Sequence, residues 1–162
     1  MSQVPSRVTM LLENYPYPED PRVRNEAETL CRAGWDVTVV APRRGPQPRH
    51  ELVEGVKVRR YRCPESNGSV AGYLLEFTVA HIQLFLRGAL ELSRGTRVLH
   101  LNNPPDTLFP VGLLARALGR EVVYDLHDLA PELFAAKFGA PWAQPLMRAV
   151  QRASVGSPRR SW

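Results

Sequence analysis

Short apolar runs with the character of β-strands alternate along the chain with segments of helical periodicity, and this alternation constrains the fold most. Residues 7–12 and 36–41 predict the first two strands. Between them, Asp20 can cap a helix with Pro21 at its first position, and Gly34 ends that helix. Strand, helix and strand within about 35 residues form a βαβ unit, whose crossover is expected to be right-handed.

The same alternation continues through the rest of the chain. It predicts a loop over residues 43–51, a strand within 53–63, a helix over 70–94, a strand over 97–101, a helix over 107–118, a strand over 122–126 and a last helix over 142–153. This pattern predicts an α/β fold, a single Rossmann-like domain with a mainly parallel sheet and helices on both faces. We expect the domain to cover residues 1–153 and residues 154–162 to form a disordered polar tail.

The chain of 162 residues carries a formal net charge of +5, which favours an anionic partner such as phosphate, an anionic lipid surface or nucleic acid. Its basic residues are not interleaved with aromatic ones, and no zinc-finger or RNA-binding signature is present, so we do not expect nucleic-acid binding. The two cysteines, Cys31 and Cys63, lack a CxxC spacing, which argues against a disulfide scaffold or a zinc site. They fit a reducing compartment, and we expect a cytoplasmic location.

The helix predicted over residues 70–94 carries one narrow polar stripe on an otherwise mostly apolar surface. The stripe recurs every three or four residues, at Glu76, Ala80, Gln83, Arg87, Glu91 and Arg94. One interpretation is a helix packed on several sides, and the other is a helix that also offers apolar surface to a lipid or a partner domain. Together with the basic loop at Arg43 and Arg44, the second interpretation predicts peripheral contact with the inner face of a membrane.

Polar side chains follow three of the predicted strands, and the loops after parallel strands share the carboxyl edge of a sheet, where α/β proteins bind ligands. The candidate site residues are Asp20, Arg22, Arg24, His100, Asn102, Asp106, His127, Asp128 and Glu132. Hydrogen-bonding side chains with carboxylates suit a polyol such as a sugar, and arginines can pair with phosphate. The alternatives are helix capping or turn formation for the acidic and amide residues, a solvated helical turn for the arginines, and a hydrogen-bonded core position for His100.

Several common catalytic motifs are missing from the sequence. It contains no glycine-rich dinucleotide fingerprint, no P-loop, no GxSxG nucleophile elbow and no HExxH zinc motif. The missing glycine fingerprint argues against an oxidoreductase fragment. We therefore predict neither a bound cofactor nor a metal ion.

Three segments, residues 17–42, 98–106 and 122–133, together resemble the amino-terminal domain of the retaining glycosyltransferases of family 4. The resemblance is to the branch whose first loop reads Asp-x-Arg-Val-x-x-Glu-Ala, and it covers about residues 7–152. It implies one half of a GT-B enzyme, in which two Rossmann-like domains face each other across a cleft. In that fold the amino-terminal domain mainly holds a sugar or lipid-linked acceptor, and the other domain holds the nucleotide-sugar.

The resemblance also implies roles for individual residues. His127 matches the family histidine near the donor sugar, so it is the predicted catalytic residue. Asp20, Arg22 and Glu26 match the first-loop motif, and His100 and Asn102 match a Val-x-His-x-Asn segment. Other members have a Gly-Gly phosphate loop that is replaced here, and Arg22 or Arg24 can take over its role.

The end of the sequence departs from the family pattern, because residues 154–162 do not resemble the strand that follows the last helix in relatives. We therefore expect the donor-binding domain to be absent from this chain, and the chain alone to be inactive in sugar transfer. The alternative function is a non-enzymatic Rossmann-like module that binds a sugar or docks a partner.

Overall fold

The computed structural model describes residues 6–13, 15–64, 68–102 and 108–125. The strands in these ranges are β1 (Arg7–Leu11), β2 (Asp36–Pro42), β3 (His50–Val53), β4 (Val56–Tyr61), β5 (Val98–Asn102) and β6 (Glu121–Asp125). The helices are α1 (Pro21–Arg32), α2 (Val70–Ser93) and α3 (Phe109–Ala117). The last predicted helix, over 142–153, and the predicted tail lie outside the described residues.

The strands form one sheet in the order β3-β4-β2-β1-β5-β6. Neighbouring strands are parallel except for β3, which runs antiparallel to β4. This confirms the predicted α/β fold with a mainly parallel sheet. The carboxyl ends of β1, β5 and β6 therefore lie side by side.

Helix α1 forms where the capping residues predict it. The Asp20 carboxylate accepts hydrogen bonds from the backbone N–H groups of Arg22 and Val23 at 2.9 and 3.5 Å. Gly34 follows the helix with a φ of +87°, a conformation that costs glycine little because it has no Cβ. Val23 and Ala27 are buried against the sheet.

The core lies on both faces of the sheet, because successive residues of a strand point to opposite sides. On β1, Met10 belongs to the cluster beneath α1, whereas Leu11 belongs to the cluster that includes residues of α2 and α3. Leu84 of α2 and Val111 of α3 are buried in that second cluster. The predicted helices on both faces are thus present.

The strand predicted within residues 53–63 is present as β4, but the loop predicted before it misses the strand β3, which begins at His50. The structure has a hairpin there, in which β3 and β4 are joined by Glu54 and Gly55 with φ values of +48° and +85°. Positive φ at both residues of a two-residue loop matches the right-handed twist of hairpin strands. The residues of β3 are exposed or half-buried and lack an alternating apolar pattern, so this edge strand could not be predicted from its own residues.

The polar stripe of α2 turns towards the sheet along most of the helix, and Arg94 at its end is exposed. Ala80 and Glu91 are buried, and the Glu91 carboxylate lies 2.7 Å from the Arg59 guanidinium on β4. The opposite side of the helix exposes large apolar residues, namely Leu74, Leu75, Ile82, Phe85, Leu86 and Leu90. We call these six residues the α2 stripe. In the described part of the chain the helix thus presents an apolar outer face.

None of the helices in the described ranges combines the length and the hydropathy needed to cross a bilayer.

Candidate functional site

The carboxyl edge of the sheet brings four polar residues together from three elements. Glu26 comes from α1, His100 and Asn102 from β5, and Asp125 from the end of β6. We call these four residues the rim cluster. Residues two apart on a strand share a face, and Asn102 is paired in register with Asp125, so the three strand residues point to the same side of the sheet.

The face that carries the rim cluster is the one covered by α1. His100 is paired in register with Met10, which is buried in the core beneath α1. The His100 Nδ1 atom lies 3.9 Å from Oε2 of Glu26. One side-chain nitrogen or oxygen of each of Glu26, His100 and Asp125 lies within 4.8 Å of the other two.

Asn102 is the most deeply buried member of the rim cluster, with 8% of its surface exposed. Neither its Oδ1 nor its Nδ2 has a hydrogen-bond partner among the described residues. A buried polar group without a partner costs about 1–3 kcal/mol, so such groups are rare in folded proteins. The Asn102 amide can therefore both donate a hydrogen bond to a bound molecule and accept one from it.

Asp20 and Arg22, from the first-loop motif, form an ion pair and a helix cap at the start of α1. Besides capping the helix, Asp20 pairs through Oδ2 with Nη2 of Arg22 at 3.2 Å. Burial would raise the pKa of Asp20, but hydrogen bonds from Arg22 and Val23 hold it below its usual value. Arg24 lies 4.0 Å from the Glu28 carboxylate, one helical turn along. Capping thus accounts for Asp20, and both arginines remain about half exposed.

The loop between β1 and α1 is held in place from β4. Arg60 is almost fully buried and donates hydrogen bonds to the carbonyl oxygens of Tyr17 at 3.0 Å and Pro48 at 3.1 Å. Its guanidinium also lies 2.7 Å from the Glu51 carboxylate. The Tyr61 hydroxyl donates to the Leu12 carbonyl at 3.1 Å. The sequence around Arg60, Arg59-Arg60-Tyr61-Arg62, does not distinguish it from the neighbouring arginines, so this role could not be predicted.

A profile of the glycosyl transferase 4-like domain matches residues 20–160 of the chain. The chain belongs to the glycosyl transferase 4-like family. This confirms the resemblance drawn from the three sequence segments.

One solved structure supports the fold of this glycosyl transferase 4-like domain. A sucrose-phosphate synthase from Thermosynechococcus elongatus superimposes with a TM-score of 0.54 and 16% sequence identity, over 90% of this chain and 70% of that one. At this identity the similarity concerns the fold, which is the Rossmann-like fold of GT-B glycosyltransferases. A comparison with curated protein sequences found no match.

A second polar site of the glycosyl transferase 4-like domain lies where β1 ends, beside α2. It is a cavity of about 110 Å³ whose lining includes Glu13, Arg43, Arg44, Cys63 and Glu76. Burial, with a contribution from the negative charge of Glu76, raises the pKa of Glu13 to about 7. Burial and the same charge raise the pKa of Cys63 to about 11, so its thiol stays protonated and is a poor nucleophile at neutral pH.

Glu13 is not among the predicted site residues, although it directly follows the first predicted strand at the ligand-binding edge. Its position one residue beyond the apolar run is the signal that could have singled it out. Glu76 was assigned to the polar stripe, and only the inward orientation of that stripe brings it to the cavity.

The remaining predicted site residues, Asp106, His127, Asp128 and Glu132, lie outside the described residues. Consequently, the predicted proximity of His127 to Arg22 and Arg24 stays a prediction.

Proposed function

We propose that this chain is the acceptor-side domain of a retaining glycosyltransferase, which transfers a sugar from a nucleotide-sugar to an acceptor hydroxyl. Membership in the glycosyl transferase 4-like family supports transferase chemistry. The observation that carries the choice of ligand is the buried amide of Asn102 at the carboxyl edge, with neither polar atom paired among the described residues.

A carbohydrate suits this edge because each hydroxyl group both donates and accepts a hydrogen bond. The Asn102 amide offers one acceptor and one pair of donors, and the carboxylates of Glu26 and Asp125 add further acceptors. Asp106, Asp128 and Glu132 are the additional candidates for contacts with hydroxyl groups. His127, two positions beyond Asp125, is the residue proposed to contact the donor sugar during transfer.

We propose that cationic side chains bind the phosphate groups of the substrate. Arg22 and Arg24 are about half exposed at the first turn of α1, and guanidinium groups pair with phosphate oxygens in a bidentate geometry. By resemblance, the nucleotide-sugar is held by a second Rossmann-like domain, whose cationic groups and helix ends stabilise the leaving diphosphate. We therefore propose that the domain alone does not catalyse transfer.

Titration calorimetry on the 162-residue chain tests the ligand class, with a panel of monosaccharides, nucleotide-sugars and NAD(P). We expect measurable sugar binding that Asn102→Ala weakens about tenfold, which corresponds to roughly 1.4 kcal/mol. The matched control is Asn25→Ala, which removes an exposed amide from α1. Lack of sugar binding, or equal weakening by both variants, would contradict the assignment.

The choice between an enzyme and a binding module needs a transfer assay. When a donor domain from a family member is supplied, we expect transfer that His127→Ala reduces at least a hundredfold. Sugar binding without transfer under those conditions would favour the non-enzymatic module.

We also propose peripheral contact of the α2 stripe with an anionic membrane. Its apolar side chains point away from the sheet, and the chain carries a net charge of +5. Arg43 and Arg44 line the cavity beside Glu76 of α2, so cations lie close to the helix. Apolar burial with attraction to anionic lipid is how interfacial helices bind membranes.

Flotation with vesicles of phosphatidylglycerol and phosphatidylcholine tests this contact. We expect salt-sensitive binding that Leu86→Ser reduces several-fold. Leu52→Ser is the matched control, because Leu52 is a similarly exposed leucine on the edge strand β3. If the two variants float equally well, the α2 stripe is not the contact surface.

A further inference from the structure

We propose that the rim cluster binds a divalent first-row transition-metal cation. The three titratable members of the cluster offer one imidazole nitrogen and two carboxylate oxygens. Neutral imidazole and carboxylate are common ligands of Zn²⁺, and the same donors suit Mn²⁺. The ligands come from α1, β5 and β6, so no short sequence motif reveals them.

The distances within the cluster suit a single ion. Because the three atoms lie within 4.8 Å of one another, some point lies no further than about 2.8 Å from all of them. Metal–ligand bonds to nitrogen and oxygen are about 2.0–2.2 Å long, so each ligand atom needs to move inward by roughly 0.6 Å. Side-chain torsions supply a shift of that size without a change of backbone.

Asn102 is an independent indication of a ligand at the same place. It is 8% exposed, and it shares the face of the sheet with its neighbour in register, Asp125, and with His100. Its Oδ1 lacks a hydrogen-bond partner among the described residues. Amide oxygens are hard donors that coordinate divalent cations, so Asn102 can supply a fourth ligand or hold a metal-bound water.

The donor set also limits the kind of ion. A site for Ca²⁺ is built from six to eight oxygen ligands, and Mg²⁺ keeps several waters in a near-ideal octahedron. A site with one imidazole nitrogen and three oxygen ligands instead favours a cation of intermediate softness such as Zn²⁺. The Irving–Williams order of complex stability also places Zn²⁺ above Mn²⁺. With Glu26, His100 and Asp125 as the three protein ligands, a tetrahedral ion keeps its fourth position open for Asn102, a water or an oxygen of a bound molecule.

The inference concerns ion binding and does not depend on the proposed transferase activity. If the chain also has the proposed transferase activity, an ion at the carboxyl edge of the sheet would coordinate a hydroxyl or phosphate oxygen of the substrate. If the chain binds the ion but no sugar, the result would support the metal site and contradict the proposed function.

The test is titration of the metal-free 162-residue chain with ZnCl₂ and, separately, with MnCl₂. We expect one ion per chain, and at least a tenfold weaker affinity in His100→Gln and Asp125→Asn. The matched control is His50→Gln, since His50 is an exposed histidine on β3 at the far edge of the sheet. Circular dichroism of each variant checks that the fold is retained.

Pulsed electron paramagnetic resonance of the Mn²⁺ complex gives a second readout that does not depend on affinity. A coordinated imidazole produces nitrogen modulation of the Mn²⁺ signal, and we expect this modulation to vanish in His100→Gln but to persist in His50→Gln. Glu26→Gln changes a residue of helix α1, so it should disturb the sheet less than the variants at His100 and Asp125 on the strands. No stoichiometric ion, unchanged affinity in Glu26→Gln, or no nitrogen modulation would overturn the proposal.

Discussion

Arg59 and Glu91 form an ion pair of 2.7 Å between strand β4 and the inner face of α2, and the Glu91 side chain is only 3% exposed. Arg94 approaches the same carboxylate at 2.8 Å from the next turn of the helix. This arrangement explains how a helix can turn its charged stripe towards the sheet. The charges are compensated in the interior, while the leucines of the α2 stripe face outward.

Removing Arg59 leaves a buried carboxylate whose remaining ion-pair partner among the described residues is the more exposed Arg94. We expect Arg59→Ala to lower the free energy of unfolding by about 2 kcal/mol, less than for a fully buried pair because Arg59 is itself 28% exposed. Arg94→Ala is expected to cost less than about 1 kcal/mol. A double-mutant cycle with Glu91→Gln, followed by urea denaturation, measures the coupling. A coupling of zero between Arg59 and Glu91 would contradict the structural role given to the pair.

Glu13 is expected to make the stability of the domain depend on pH. Its pKa rises from 4.5 to about 7 on folding, so the folded state binds the proton more tightly than the unfolded state. The contribution of Glu13 to the unfolding free energy should therefore be fully present below about pH 4.5, and up to roughly 3 kcal/mol should be lost as the pH rises through 7. Glu13→Gln should flatten the curve of stability against pH between 5 and 8. An equally steep curve in that variant would show that other groups are responsible.

At Gly88, α2 packs closely against Leu11 of β1 and Val111 of α3. A Cβ at this position would lie 2.7 Å from Cγ2 of Val111 and 3.1 Å from Cδ1 of Leu11. Alanine normally stabilises a helix interior by up to about 1 kcal/mol relative to glycine, but here the overlap should reverse the sign. We expect Gly88→Ala to lower the unfolding free energy by about 1–3 kcal/mol in thermal or urea denaturation. A higher melting temperature would mean that α2 and α3 are packed less tightly than described.

Asp20 is expected to matter for the stability of α1 more than for ligand contact. Asp20→Ala removes the side-chain acceptor for two helical N–H groups and should cost about 1 kcal/mol. Asp20→Asn keeps an acceptor and should cost only a few tenths of that. Chemical denaturation measures the unfolding free energy of each variant. Titration of the folded variants with sugar then shows whether sugar affinity changes. If Asp20→Asn lost sugar binding while its unfolding free energy stayed unchanged, Asp20 would have to be assigned to the ligand site.

The strands and caps of the fold could be predicted because their signals are local. The first βαβ unit was found within a residue or two of its observed limits, since the Asp20 cap and Gly34 fix the ends of α1 from its own sequence. The orientation of α2 could not be found in this way. Periodicity shows that polar residues share one side, but the cation that compensates Glu91 comes from Arg59, on a separate strand.

The candidate site was predictable only in part, for a similar reason. The carboxyl ends of β1, β5 and β6 were predicted to within one residue, and parallel pairing places these strand ends side by side. Which side chains meet depends on register, however, and pairing of Asn102 with Asp125 follows from the alignment of β5 and β6. Glu26 was noted for its motif, but its approach to His100 depends on how α1 packs over β1.

The buried guanidinium of Arg60 has a mechanical consequence for this domain. It is bonded at once to the Tyr17 carbonyl, in the loop before α1, and to the Glu51 carboxylate on the outermost strand. Displacing that loop would strain both attachments together. A fluorescent probe attached near the β3–β4 hairpin should therefore respond to a ligand that displaces the loop before α1, without contact between probe and ligand.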